Sequence, residues 1–155
     1  MMEERKKKNK FKIIAIIAAV ILAFIIGFPI HLNNGHKGKT VECETLGCRL
    51  ILPEGWDGKC DFVMVDEGID AYHRKGRISA LQGYNSGELF WLRKWKGVFT
   101  DEEVQDRAVQ PTIFLGADDE GAYVIICASD ITSTNFRKEY NELYNQINQI
   151  KIEIY

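Results

Sequence analysis

The chain has 155 residues and a formal net charge of −2, which hides an uneven distribution of charge. Residues 1–12 hold six basic and two acidic side chains, whereas residues 31–155 hold 14 basic and 20 acidic ones. An acidic segment repels phosphate backbones and anionic headgroups, so nucleic acid is not expected as a partner. The 125 residues from 31 to 155 are enough for one folded domain and too few for two.

Residues 13–30 form an apolar run of eighteen residues without a charge. As a helix this run is about 27 Å long, close to the hydrocarbon thickness of a bilayer, which predicts a transmembrane helix with membrane lipid as its partner. The apolar core of a secretory signal peptide is shorter and precedes small residues, whereas bulky side chains flank Gly27 here. The run is therefore predicted to be an uncleaved signal anchor.

The distribution of basic residues predicts the orientation of this anchor. Six basic side chains precede it, and only Lys37 and Lys39 lie within the fifteen residues that follow. The positive-inside rule places residues 1–12 in the cytoplasm and the C-terminal domain outside, in a single-pass protein of the cell membrane. The polar, glycine-rich start of residues 31–44 predicts a tether, which leaves 45–155 as the extracytoplasmic domain.

A period of two dominates the middle of this domain and predicts five to six antiparallel strands. Two pairs of apolar runs are separated by short turns and are predicted to form hairpins. The first pair is 60–65 with 69–75, and the second is 112–116 with 122–129. Two further runs, 48–52 and 88–95, complete the predicted set.

Two segments have helical signatures. Thr100 and Glu103 have the spacing of a capping box, which predicts a short helix that ends near Ala108. The C-terminal segment predicts a longer amphipathic helix, with an apolar stripe at spacings of three and four residues: Phe136, Tyr140, Leu143, Ile147, Ile150 and Ile154. We expect this stripe to pack on the sheet, in an α+β domain, while a coiled-coil partner is the alternative.

Several short motifs resemble a known kind of domain. They are LILPEGW before the first hairpin, GELF at 87–90, and YVIICASD followed by EYNELYNQINQI. Together they resemble small extracytoplasmic domains of uncharacterised membrane-anchored proteins from low-GC Gram-positive bacteria. The order of elements over residues 46–152 also loosely resembles PsbP-like domains. That resemblance implies an antiparallel sheet closed by a C-terminal helix, and its partners are not carried over to this chain.

Four cysteines, Cys43, Cys48, Cys60 and Cys127, would lie on the oxidising side of the membrane. Cys43 could pair locally with Cys48, which would leave Cys60 to join Cys127, and buried free thiols are the alternative. The C-x4-C spacing has no second ligand pair for zinc. No metal or cofactor is predicted.

No nucleophile–base motif is recognisable, so no catalytic residue is predicted. His73 could act only with a carboxylate such as Asp70 or Asp130. Ser86 lacks the flanking glycines of a nucleophile elbow and is predicted to lie in a turn. The acidic segments 101–103 and 118–120 lack the spacing of a calcium loop and are interpreted as solvated turns.

The aromatic segment from Phe90 to Phe99 contains Trp91 and Trp95 on one predicted strand face together with Arg93. We expect helix and loops to cover this face, because Trp is highly buried on average. The alternative is that the face points outward, where it would suit a protein or glycan surface. The sequence thus predicts a membrane-anchored interaction or sensing module without catalytic activity, with another envelope or membrane protein as a partner. The alternative is a cell-envelope hydrolase whose site is not recognisable.

Overall fold

The computed structural model describes residue 36 and residues 38–80, 87–129 and 136–155. They belong to a compact unit, Gly35–Tyr155. The predicted membrane helix at 13–30 lies outside them, and no helix within them is long and apolar enough to cross a bilayer. The strands are β1 Thr40–Cys43, β2 Cys48–Ile51, β3 Cys60–Val65, β4 Gly68–His73, β5 Glu88–Lys96, β6 Thr112–Ala117, β7 Gly121–Cys127 and β8 Lys151–Ile154. The helices are α1 Arg74–Ala80, α2 Asp101–Arg107 and α3 Arg137–Tyr144.

Five strands form an antiparallel sheet in the order β3-β4-β5-β7-β6. Both predicted hairpins are present, as the β3–β4 and β6–β7 pairs. The first hairpin ends at His73, two residues earlier than predicted, because α1 begins at Arg74. The register aligns Ile69 with Leu92 and Leu92 with Ile125, so large apolar side chains of three strands share one face.

A second sheet with the order β1-β2-β8 contributes its apolar side chains to the same core. The α+β class is therefore confirmed, but the fold has eight described strands in two sheets rather than five to six in one. Strand β1 lies within residues 31–44, the segment that the sequence predicts as a tether. The backbone N–H of His36 already donates to the carbonyl of Cys60 at 3.0 Å, and that of Gly38 to the carboxylate of Asp57 at 2.9 Å.

The predicted C-terminal helix is only partly correct. Helix α3 ends at Tyr144, a 3₁₀ turn covers Ile147–Gln149, and the chain then forms β8. The apolar stripe nevertheless enters the core, since Tyr140, Leu143, Ile147 and Ile150 are buried. Ile150, Ile152 and Ile154 also alternate with polar residues. Pairing with β2 provides hydrogen-bond partners for the backbone of this segment, which therefore forms a strand.

Helix α2 confirms the capping box. The Thr100 hydroxyl accepts from the Glu103 backbone N–H, and the Glu103 carboxylate accepts from the Thr100 backbone N–H. The helix ends at Arg107, next to the predicted end, and buries Val104 in a second, smaller cluster. That cluster includes Val124 and lies on the outer face of the large sheet, because Val124 is adjacent in β7 to the core residue Ile125.

Candidate functional site

Three turns and the end of β5 line an open groove of about 850 Å³ at one end of the domain. The turns are the β1–β2, β3–β4 and β6–β7 turns, and Ile126 of β7 extends the lining along the outer face of the large sheet. We call this the turn-end groove, lined by Thr45, Leu46, Asp66, Glu67, Arg93, Lys94, Trp95, Lys96, Glu120 and Ile126. The lining contains three acidic, three basic and three apolar side chains, so the groove offers both charges and apolar contacts.

Lys94 is a largely buried cation of the groove. Its side chain is only 11% exposed, and its Nζ donates to Asp118 Oδ2 and to Glu120 Oε2, both at 2.7 Å. The Nζ atom also lies 5.1 Å from the ring centre of Tyr123. Lys94 comes from β5, whereas its partners come from the β6–β7 hairpin, so tight pairing of β5 with β7 brings the opposite charges together.

The hydroxyl of Tyr123 connects this cluster to the small sheet. It lies 2.7 Å from Asp118 Oδ2 and 2.9 Å from the carbonyl oxygen of Leu46 in the β1–β2 turn. A tyrosine hydroxyl has one hydrogen, so it donates to these acceptors one at a time. Burial raises the pKa of Tyr123 to about 12, and the hydrogen bond to Asp118 acts in the same direction.

The charged groups of this cluster are held in their ionised forms. The hydrogen bonds from Lys94 and Tyr123 hold the pKa of Asp118 well below its usual range. Lys94 likewise lowers the pKa of Glu120. Burial opposes the charge of Lys94, but its hydrogen bonds to Asp118 and Glu120 and its contact with Tyr123 outweigh that effect and raise its pKa. Each of these pKa values therefore moves away from neutrality.

Arg93 is fixed on the other side of the β5 backbone. One terminal nitrogen donates to Asp70 Oδ1 at 2.6 Å, and the other donates to the carbonyl oxygens of Ile69 and Leu92 at 3.1 and 2.9 Å. Glu67 lies at 4.0 Å from Arg93 Nε. The guanidinium is thus oriented by three hydrogen-bond acceptors and a longer ion pair with Glu67, and the groove presents it in a fixed position.

The two tryptophans of β5 lie on the face of the sheet opposite the main core, since Leu92 between them is fully buried on the core face. Both indole rings are half-buried. The guanidinium of Arg107 lies 5.3 Å from the ring centre of Trp95, so helix α2 shields part of this face. Trp95 also lines the turn-end groove, whereas Trp91 does not.

His73 is fully buried and makes two hydrogen bonds. Its Nε2 lies 2.9 Å from Glu139 Oε1, and its Nδ1 accepts from the Gly76 backbone N–H at 3.3 Å. Because Nδ1 accepts, Nε2 carries the proton and donates to Glu139. Asp70, the carboxylate that the sequence suggested for His73, instead binds Arg93. Asp130 and Ser86 lie outside the described residues.

All four cysteines are buried thiols, and they differ in whether another cysteine lies opposite them. Cys43 and Cys48 are directly opposite each other in the β1–β2 pair. Cys60 is in β3 and Cys127 in β7, with β4 and β5 between them. Three strand spacings amount to roughly 14 Å, about twice the reach of a disulfide, so a Cys60–Cys127 bridge, one of the pairings that the sequence left open, is excluded.

Sequence reasoning missed the role of the acidic turn. Asp118 was expected to be solvated, but it accepts hydrogen bonds from Lys94 and from the backbone N–H groups of Glu120 and Gly121. The position of Asp118 three residues before Gly121 indicates a turn. It does not predict the hydrogen bond from Lys94, which lies 24 residues earlier in the chain. Within the described ranges, no group of three His, Cys, Asp or Glu side chains is placed to hold a metal ion.

Comparison of the chain with protein-family models, with curated proteins and with solved structures finds no match. The function proposed below therefore rests on the residues of this chain.

Proposed function

We propose that this chain is a membrane-anchored binding module of the cell envelope, without catalytic activity of its own. Residues 13–30 anchor it, residues 1–12 lie in the cytoplasm, and the domain lies outside. The length and apolar character of residues 13–30 support the anchor, and the six basic residues before it support the orientation. The turn-end groove is the proposed binding surface.

The observation that supports a binding role rather than catalysis is the ion-pair cluster of Lys94 with Asp118 and Glu120 at the groove. A general acid or base works best when its pKa lies near the operating pH. Here the pKa values of Asp118 and Glu120 are lowered and that of Lys94 is raised, so all three remain charged at neutral pH. Such groups position a partner by charge and exchange no proton with it.

The hydrolase alternative would need an accessible base, and the geometry of His73 does not favour it. The imidazole is 0% exposed, and both of its ring nitrogens are used within the domain. Phe136 and Tyr140 also pack against it, with ring centres 6.0 and 6.1 Å away. These contacts support a structural role for His73.

The mixed lining of the groove favours a polypeptide segment of another envelope or membrane protein as the partner. Leu46, Trp95 and Ile126 offer apolar contacts to such a segment. Asp66 and Lys96 have no ion-pair partner among the described residues, so they remain available to a peptide that carries both charges. Fixed charges at the rim increase specificity and association rate more than affinity.

Site-specific photo-crosslinking tests this proposal in intact cells. A photoreactive residue at Thr45 of the full-length chain should yield an adduct with a defined envelope protein. Reversing the free charge with Lys96→Glu should abolish that adduct. The matched control Lys151→Glu changes an exposed lysine of β8 that does not line the groove, and it should leave the adduct unchanged. The proposal is wrong if no adduct forms or if both reversals act equally.

A further inference from the structure

The β1–β2 hairpin places two cysteines at its closing position. Cys43 is the last residue of β1, Cys48 is the first of β2, and the register pairs them directly. Both side chains are 0% exposed and belong to the main core cluster, so they lie on the same face of the small sheet. Gly47, at φ 62°, has the left-handed conformation that reverses the chain between them.

This position satisfies the distance requirement of a disulfide. Directly opposite residues of an antiparallel pair have Cα atoms about 4.5 or 5.5 Å apart, depending on the type of pair. Disulfides span Cα distances of roughly 4.4–6.8 Å, which includes both values. The cross-strand partner of Cys60 is His73 and that of Cys127 is Phe90, so neither of these cysteines has a thiol opposite it.

We propose that Cys43 and Cys48 form a disulfide that closes the β1–β2 hairpin, while Cys60 and Cys127 remain thiols. The oxidant is a disulfide of a small thiol or of an oxidoreductase. The thiolate of one cysteine attacks that disulfide and releases one reduced thiol, and the second cysteine then displaces the other. Two protein thiols lose two electrons and two protons, which appear in the two thiols released, so the exchange balances.

The bond must form while the hairpin is still accessible. Burial raises the pKa of Cys48 to about 12, which leaves little thiolate in the folded domain. Strand β1 is the edge of its sheet, so exchange takes place during folding or when this edge opens. The inference does not depend on the proposed partner. Its consequence for the groove is that Thr45 and Leu46, which line one wall, lie in the loop that the bond closes.

Refolding followed by thiol mapping tests the proposal. The full-length chain in detergent is unfolded, reduced and refolded with oxidised glutathione, then unfolded again in the presence of iodoacetamide, so that buried thiols react, and digested. We expect a linked peptide that contains Cys43 and Cys48, with Cys60 and Cys127 alkylated. Four alkylated thiols, or a bond to Cys60 or Cys127, would overturn the proposal.

Two variants make the assignment specific. The Cys60→Ala/Cys127→Ala chain should still lose two hydrogen atoms on oxidation and should show the same linked peptide. The Cys48→Ala chain should form no intrachain disulfide under the same conditions. If Cys48→Ala fails to fold, the peptide map of the unchanged chain still decides the question. An intrachain bond in Cys48→Ala would contradict the proposal.

Discussion

The imidazole of His73 donates through Nε2 to the Glu139 carboxylate at 2.9 Å and so connects strand β4 to helix α3. Lys75 donates to the other carboxylate oxygen of Glu139 at 3.1 Å. These bonds fix the position of α3 over the sheet. The Tyr140 hydroxyl, which donates to the Glu88 carbonyl at 2.6 Å, fixes the next residue of the helix.

Replacement of Glu139 by alanine should destabilise the domain. It would leave the buried Nε2–H of His73 without its acceptor, which costs about 1–3 kcal/mol of unfolding free energy. Urea denaturation of residues 35–155 measures this loss. Glu142→Ala is the matched control, because Glu142 is exposed on the same helix, and it should change the free energy by less than about 0.5 kcal/mol. Equal effects of the two substitutions would show that the His73 hydrogen bond contributes nothing.

Asp118 should make stability depend on pH on the acid side. Its pKa is lower in the folded state than its ordinary value of 3.8, chiefly through hydrogen bonds from Lys94 and then Tyr123. The stabilisation is therefore fully present above that value and is lost as the pH falls below it. Asp118→Asn should flatten the decrease in unfolding free energy between about pH 5 and pH 2.5. Asp119→Asn, at the exposed neighbour, should retain the full decrease, and an unchanged slope in Asp118→Asn would refute the assignment.

Leu143 tests whether α3 is part of the domain core. The side chain is 2% exposed within the main cluster, so Leu143→Ala should leave a cavity and cost about 2–5 kcal/mol. That is a large part of the 5–15 kcal/mol typical of a domain, and the melting temperature should fall clearly. Lys138→Ala, at an exposed position of the helix, is the control. An unchanged melting curve for Leu143→Ala would instead favour the coiled-coil alternative.

The proposed topology predicts a distinct pattern of proteolysis. Protease added to intact cells should degrade the domain and spare residues 1–12, because six basic residues precede the apolar run and only two follow it closely. Epitope tags at the two ends of the full-length chain report the two outcomes separately. Protection of the C-terminal tag, in cells where a known surface protein is digested, would reverse the orientation.

Local signals were sufficient for much of the large sheet and for α2. The β3–β4 and β6–β7 hairpins need only two apolar runs and a short turn between them, and α2 needs only the reciprocal bonds of Thr100 and Glu103. Each depends on residues that are close in the chain, so the printed sequence contains the information. The anchor and its orientation are also predictions of this local kind.

The second sheet and the site depended on contacts between distant segments. The apolar pattern of residues 150–154 fits both a helical stripe and a strand. The segment forms a strand because the free edge of β2, about 100 residues earlier, supplies partners for its backbone hydrogen bonds. Asp118 meets Lys94, and His73 meets Glu139, only because the sheet and α3 bring them together. Elements whose hydrogen bonds close locally were predictable from the amino-acid sequence. Strand β8 and the buried polar pairs depended on tertiary contacts, because a buried charge or an open strand edge is stabilised by whichever distant partner the folded chain brings within reach.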